Sequence, residues 1–206
     1  MAKLIQRYGD RTRLNHWFVA ILFICAGLTG LAVFHPSMYF LSNLFGGGQW
    51  TRILHPFFGL LMVIGFVFLF FQVVRDNFWT REDTQWVKHS PDLLKGDEEA
   101  MPPVGKYNAG QKIVFWIFGI SLLLLLVTGF MFWRPWFAEF FPIPVRRIAV
   151  LVHAISATVL IISVIIHIYA AIWVKGSVGA MTRGTVSEGW ARKHHPLWYR
   201  KITGGK

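Results

Sequence analysis

The chain has 206 residues, of which 54% are hydrophobic, 17% aromatic and only 15% charged, a balance too apolar for an ordinary soluble domain and typical of a membrane protein. Its formal charge of +11 would suit nucleic acid, but 17 of the 21 lysines and arginines fall in three segments that follow membrane topology instead: four precede the first apolar run, six lie from Arg75 to Lys112, and seven from Lys175 onward. The single cysteine, Cys25, sits inside an apolar run, which excludes disulfides, iron–sulfur clusters and thioether-attached haem held by this chain.

Four apolar runs are long enough to cross a hydrocarbon core of ~30 Å: residues 15–34, 53–74, 113–133 and 147–174. They predict an all-α fold, a transmembrane four-helix bundle forming one integral-membrane domain over residues 1–206. The positive-inside rule puts both termini and the middle loop in the cytoplasm. The first run follows a basic segment, as a secretory signal does, but it is too long for one and no A-x-A-like cleavage site follows. It is expected to be a retained helix.

In chain order, Arg11, Arg13, Asn15, His16 and Trp17 lead into the first span, so His16 enters from the cytoplasmic side. The span closes at Phe34–His35–Pro36, and the uncharged loop to Gly48 suits a short segment on the far side, with His35 exposed in it. The second span opens with Arg52, His55 and Pro56, which places His55 at the outer end. Pro56 is expected within the first turn, where its missing N–H costs little, and Gly59 and Gly65 leave room for a bulky neighbour.

The middle loop, Asp76 to Gly110, holds seven acidic and four basic residues, a net of −3 (four minus seven). With Asp97, Glu98, Glu99 and Pro102–Pro103 it reads as solvated surface, with a short amphipathic helix near Trp86 and an exposed His89. It ends in Asn108, Gly110, Gln111 and Lys112, residue types that cap and turn a helix entrance. In the tail, His194 and His195 are adjacent and cannot share a helix face, so both are expected at the surface.

The fourth span carries two histidines, His153 and His167, fourteen positions apart (167 minus 153). That spacing returns to the same helix face within about 40° and separates the rings by about 21 Å. Between them the face carries Ser156, Ala157, Leu160, Ser163 and Val164, mostly small groups that let a flat ligand approach. Ionisable residues within spans are functional candidates by default. Helix direction pairs His55 with His153 at the outer side and His16 with His167 at the inner side. A metal-transport path would want carboxylates or thiolates, and a proton relay would want Asp or Glu in the spans, which contain neither. The pattern points to two b-type haems, each held by two imidazoles. Arg52, Arg146 and Arg147 lie near the outer pair in sequence. They are candidates for charge-assisted bonds to haem propionates, against ordinary interfacial snorkelling.

Nearly the whole chain resembles a known family, the cytochrome b (gamma) subunits of membrane-bound respiratory formate dehydrogenases. The matching stretches are Arg13–Leu–Asn–His–Trp17, Arg52–Ile–Leu–His–Pro–Phe57, Gly105–Lys–Tyr–Asn–Ala–Gly–Gln–Lys112, Trp133–Arg–Pro135, His167 to Trp173–Val–Lys–Gly176 and Lys193–His–His–Pro196. The resemblance implies that His55 and His153 ligate a periplasmic haem iron and His16 and His167 a cytoplasmic one, with quinone contacted by Asn108, Gly110 and Gln111. It also implies two partner subunits, an iron–sulfur (beta) subunit and a molybdopterin catalytic (alpha) subunit that oxidises formate, in a trimer of heterotrimers in the bacterial inner membrane. One alternative is the cytochrome b of another periplasmic dehydrogenase, such as an uptake hydrogenase. An alternative of another class is a structural membrane anchor whose histidines only pack.

Overall fold

The computed structural model describes residues 3–91, 101–134 and 136–204; the acidic run of Asp97, Glu98 and Glu99, and Pro135, lie outside the described residues. Among the described residues, four helices are long and apolar enough to cross a membrane: α1 (Asp10–Phe34), α2 (Gly48–Val73), α4 (Ala109–Phe132) and α5 (Ile143–Trp173). The shortest has 24 residues, or about 36 Å at 1.5 Å per residue. Each starts four or five residues before the apolar run it contains, because the polar first turns continue the same backbone ladder. One consequence corrects the reading of Pro56. It lies inside α2 rather than in its first turn, so Arg52, four residues earlier, has a carbonyl that proline cannot bond.

Two compact units are distinguished, and each is described by itself: a membrane unit, Leu14–Phe70 with Ile117–Ile165, and a polar unit, Met1–Arg13 with Phe71–Trp116 and Ile166–Lys206. The core of the membrane unit draws Leu22 and Ala26 from α1, Met62 and Phe66 from α2, Leu122 from α4 and Leu160 from α5. Such a bundle gains little from hydrophobic burial, since lipid is as apolar as leucine, and depends on close packing and interhelical bonds. Gly65 shows this: a Cβ there would meet Val19 Cγ2 at 2.9 Å, and Asn15 Nδ2 donates to the Gly65 carbonyl at 2.9 Å. The room expected at Gly65 is therefore filled by α1, whereas a Cβ at Gly59 meets nothing within 4 Å. Large apolar side chains such as Ile21, Phe68, Ile155 and Ile162 face outward. In water this would be a liability; in hydrocarbon it is the expected outer surface.

The polar unit ties the two ends of the chain together. β1 (Leu4–Gln6) pairs antiparallel with β2 (Thr185–Ser187), with Ile5 opposite Val186. Short helices α6 (Ser177–Thr182), α7 (Glu188–His194) and α8 (Pro196–Thr203) complete the tail. Ala180, Val186, Ala191 and Trp198 form its core. The expected helix near Trp86 is α3 (Arg81–Lys88), opened by a capping box between Thr80 and Asp83. The loop is less solvated than its composition suggests. Asp83 is only 2% exposed, and its Oδ2 accepts from Lys112 Nζ at 2.6 Å and from Thr80 N at 2.7 Å.

Candidate functional site

His55 on α2 and His153 on α5 come together in the membrane unit, their ring centroids 6.3 Å apart. With metal–imidazole bonds of about 2.0 Å, two imidazoles on opposite sides of one iron place their centroids about 6 Å apart. The pair therefore has the separation of a bis-imidazole site. His55 Nδ1 lies 3.2 Å from the Ala26 carbonyl, which only accepts, so Nδ1 carries the proton and Nε2 keeps its lone pair for a metal. The same ring is 3.0 Å from Thr29 Oγ1, and His153 Nδ1 is 2.9 Å from Thr128 Oγ1.

Glycines follow both threonines. A Cβ on Gly30 would stand 3.1 Å from His55 Cε1, and one on Gly129 would stand 3.5 Å from His153 Cε1. A side chain at position 30 would crowd the His55 ring, whereas a Cβ at position 129 would make an ordinary contact with His153. Phe132 packs edge-on to His153, with centroids 5.1 Å apart. The threonine–glycine pairs were not singled out in sequence. Their signal is nonetheless present: the dipeptide precedes each outer histidine by 26 (55 minus 29) or 25 (153 minus 128) residues.

The outer arginines border this region in two groups. Arg134, Arg146 and Arg147 line an open cavity with Phe132 and Val150, and Arg52 lines a second one with His35 and Tyr39. His35 is exposed, as expected, and its Nδ1 accepts from Ser37 N to cap the following 3-10 helix, Pro36–Phe45.

The inner candidates fall in different units. His16, half-buried on α1 in the membrane unit, packs edge-on to Trp17. His167 is exposed on α5 within the polar unit. On α5 the small residues between the two histidines are well enclosed, with Ser156 and Ser163 each 5% exposed.

At the start of α4, Asn108 and Gln111 form a reciprocal cap. Gln111 N donates to Asn108 Oδ1 at 2.9 Å, and Asn108 N donates to Gln111 Oε1 at 3.0 Å. Capping uses the amide oxygens, which leaves both NH2 groups as the donors available to a ligand. Gly110 faces Trp86 of α3, whose ring edge would lie 3.3 Å from an added Cβ. The segment just before is pinned by the tail: Arg7 Nη2 donates to the Lys106 carbonyl, His195 Nδ1 to Gly105 O at 2.8 Å, and Leu197 N to Val104 O at 3.1 Å.

The expectation that His195 is a surface residue is overturned. It is 3% exposed, because it sits at the junction of α7 and α8 rather than on a helix face. Its Nδ1 donates to a carbonyl, so its Nε2 accepts from Arg7 Nη2 at 3.2 Å. Burial, and the Arg7 guanidinium beside it, hold the imidazole down at about 3. Arg7 is itself 7% exposed and lies among the rings of Tyr8, Tyr107, Trp190 and Trp198 at 4.9–5.9 Å.

Residues 7–184 match the family described as prokaryotic cytochrome b561. The chain belongs to that family. It is 44% identical over 201 residues to the cytochrome b556(Fdn) subunit of the nitrate-inducible formate dehydrogenase of Escherichia coli strain K12, covering 98% of this chain and 93% of the relative. It is also 44% identical over 198 residues to the cytochrome b556(fdo) subunit of formate dehydrogenase from the same strain, covering 96% and 93%. With the formate dehydrogenase cytochrome b556 subunit of Haemophilus influenzae the identity is 42% over 197 residues, covering 96% and 83%. The chain is thus a multi-pass cytochrome b of the bacterial inner membrane, and the family implies haem b. The outer histidine pair fits that group in ring separation, in tautomer and in the glycines that flank it.

Proposed function

We propose that this cytochrome is the dihaem electron-transfer subunit of a formate dehydrogenase, carrying electrons from a periplasmic iron–sulfur partner to quinone on the cytoplasmic side. Formate oxidation itself belongs to a molybdopterin partner subunit, and the complex is a trimer of heterotrimers. The observation that carries the reading is the His55–His153 pair at bis-imidazole separation, in a chain whose relatives are named as formate dehydrogenase subunits.

In this reading His55 and His153 hold the outer haem, and His16 and His167 hold the inner one. Bound haem b supplies a one-electron ferric/ferrous couple, and two imidazole ligands leave no open position for oxygen. The arginines that line the two outer cavities offer guanidinium donors to carboxylates. Near the cytoplasmic side, the NH2 groups of Asn108 and Gln111 donate to quinone carbonyls without adding a fixed charge, beside Gly110 and the Trp86 ring that covers it. Quinone reduction consumes two electrons and two protons, so its site needs water. Gln111, exposed in the first turn of α4, meets that need. Both termini and the middle loop are cytoplasmic in this scheme.

The test is haem quantitation on the purified complex, with formate and hydrogen offered separately as reductants. Two b haems per copy are expected, with one lost on replacing His55 or His153 and the other on replacing His16 or His167. A single haem in the wild type, or equal loss of both from every substitution, would refute the pairing. Reduction by hydrogen and not by formate would move the chain to the uptake-hydrogenase class.

A further inference from the structure

Each outer histidine is met by the same local device, delivered by a different helix. On α1, Thr29 Oγ1 donates to its own helix at Cys25 O, 2.7 Å away, with Ala26 O at 3.1 Å. On α4, Thr128 Oγ1 donates to Leu124 O at 2.6 Å, with Leu125 O at 3.4 Å. A hydroxyl has one proton. Once that proton is committed to the carbonyl four residues back, the oxygen faces the histidine only as an acceptor. His55 and His153 must then each donate from Nδ1, at 3.0 and 2.9 Å. The carbonyl of Ala26 demands the same tautomer of His55 independently. In both cases Nε2 is left as the metal-binding atom, and Gly30, after Thr29, keeps the ring edge of His55 clear.

We propose that Thr29 and Thr128 are positioning residues that lock the outer pair in its Nδ1–H tautomer and set the potential of the haem it holds. A hydrogen bond accepted from the far nitrogen of a ligand imidazole makes it a stronger donor to the metal and fixes its orientation. The stronger donor favours the ferric form and keeps the outer potential low. Two matching bonds, one on each ligand, act in the same direction. The proposal rests on the reading of His55 and His153 as haem ligands.

The competing account is that both threonines merely bond back to their own helices, as membrane threonines commonly do. Thr158 does this with Ala154 O at 2.9 Å and provides the control.

The experiment uses the intact complex carrying T29V, T128V, T29S, T128S or T158V, with haem content, a redox titration and the electron paramagnetic resonance of the ferric haems as readouts. Valine keeps the volume and removes the acceptor. Expected in T29V and T128V are a retained haem count, an upward shift of the outer midpoint potential and a changed low-spin ferric signal, with the inner haem unmoved. Serine should restore both wild-type values, and T158V should change neither. Wild-type potentials in both valine variants would overturn the proposal. If a valine variant loses the outer haem, its serine counterpart decides: recovery of haem and potential supports the hydroxyl, and persistent loss assigns the effect to packing and overturns it. Failure of the underlying ligand assignment would appear separately, as an outer haem that survives replacement of His55 and His153.

Discussion

Replacing Lys112 by Met should destabilise the polar unit strongly, because it strands a buried carboxylate. Asp83 and Lys112 have side chains only 3% and 6% exposed, and Nζ approaches Oδ2 to 2.6 Å. Removing one partner of such a pair costs about 3–5 kcal/mol, since the remaining charge stays desolvated. Here Oδ2 keeps two donors from Thr80, the backbone N–H at 2.7 Å and Oγ1 at 2.9 Å, so the lower end, about 3 kcal/mol, is expected. For a chain of this size that is a fall of roughly 6–12 °C in midpoint. Lys112 Nζ also donates to Phe78 O at 3.0 Å, which ties α4 to the residues before α3. Loosening it should therefore expose α3 to trypsin at Arg81 and Lys88. The double variant D83L/K112M, with neither charge left to bury, should lie within about 1–2 kcal/mol of wild type. Thermal denaturation of the detergent-solubilised complex, followed by limited proteolysis, makes the comparison. A single variant that melts with the wild type, or a double variant as unstable as the single, would refute the reasoning.

The buried His195 makes stability depend on pH with a defined sign. Its folded value of about 3 lies below the ordinary 6.5, so the unfolded chain binds the proton more readily. The contribution is complete above about pH 6.5 and is lost as the pH falls toward 3; the loss at pH 5 is about 2 kcal/mol. Melting curves at pH 7.5 and 5 should show this loss in wild type and less of it in H195Q, and identical pH dependence in the two would count against it. At the start of α4, N108D and Q111E keep the capping oxygens but lose the NH2 donors. Both should retain haem and its reduction by the donor, while losing most quinone reductase activity. Activity near wild type in both would leave these residues as helix caps alone.

The features legible in the sequence are those set by neighbours along the chain. Apolar runs longer than the hydrocarbon thickness specify the spans whatever packs beside them. Alternating helix direction then sorts His55 with His153 by depth, and the structure brings those two rings together. Asn108 and Gln111 are three residues apart, so their reciprocal cap is a local event, and it forms. Thr80 and Asp83 open α3 for the same reason.

Tertiary structure decided what depends on partners far away in the chain. Asp83 carries the same formal charge as exposed Glu82 beside it, and Lys112, 29 residues on, explains its burial. His195 reads as tail surface until Arg7, 188 residues earlier, and the carbonyl of Gly105 enclose it. Thr29 and Thr128 look like ordinary membrane threonines, because each satisfies its own hydroxyl within its helix. Their second role exists only once another helix brings an imidazole to the unused lone pair. The length of the apolar runs selects the membrane, but the position of the proton on the His55 and His153 rings is set by which acceptor the packed helices place behind each.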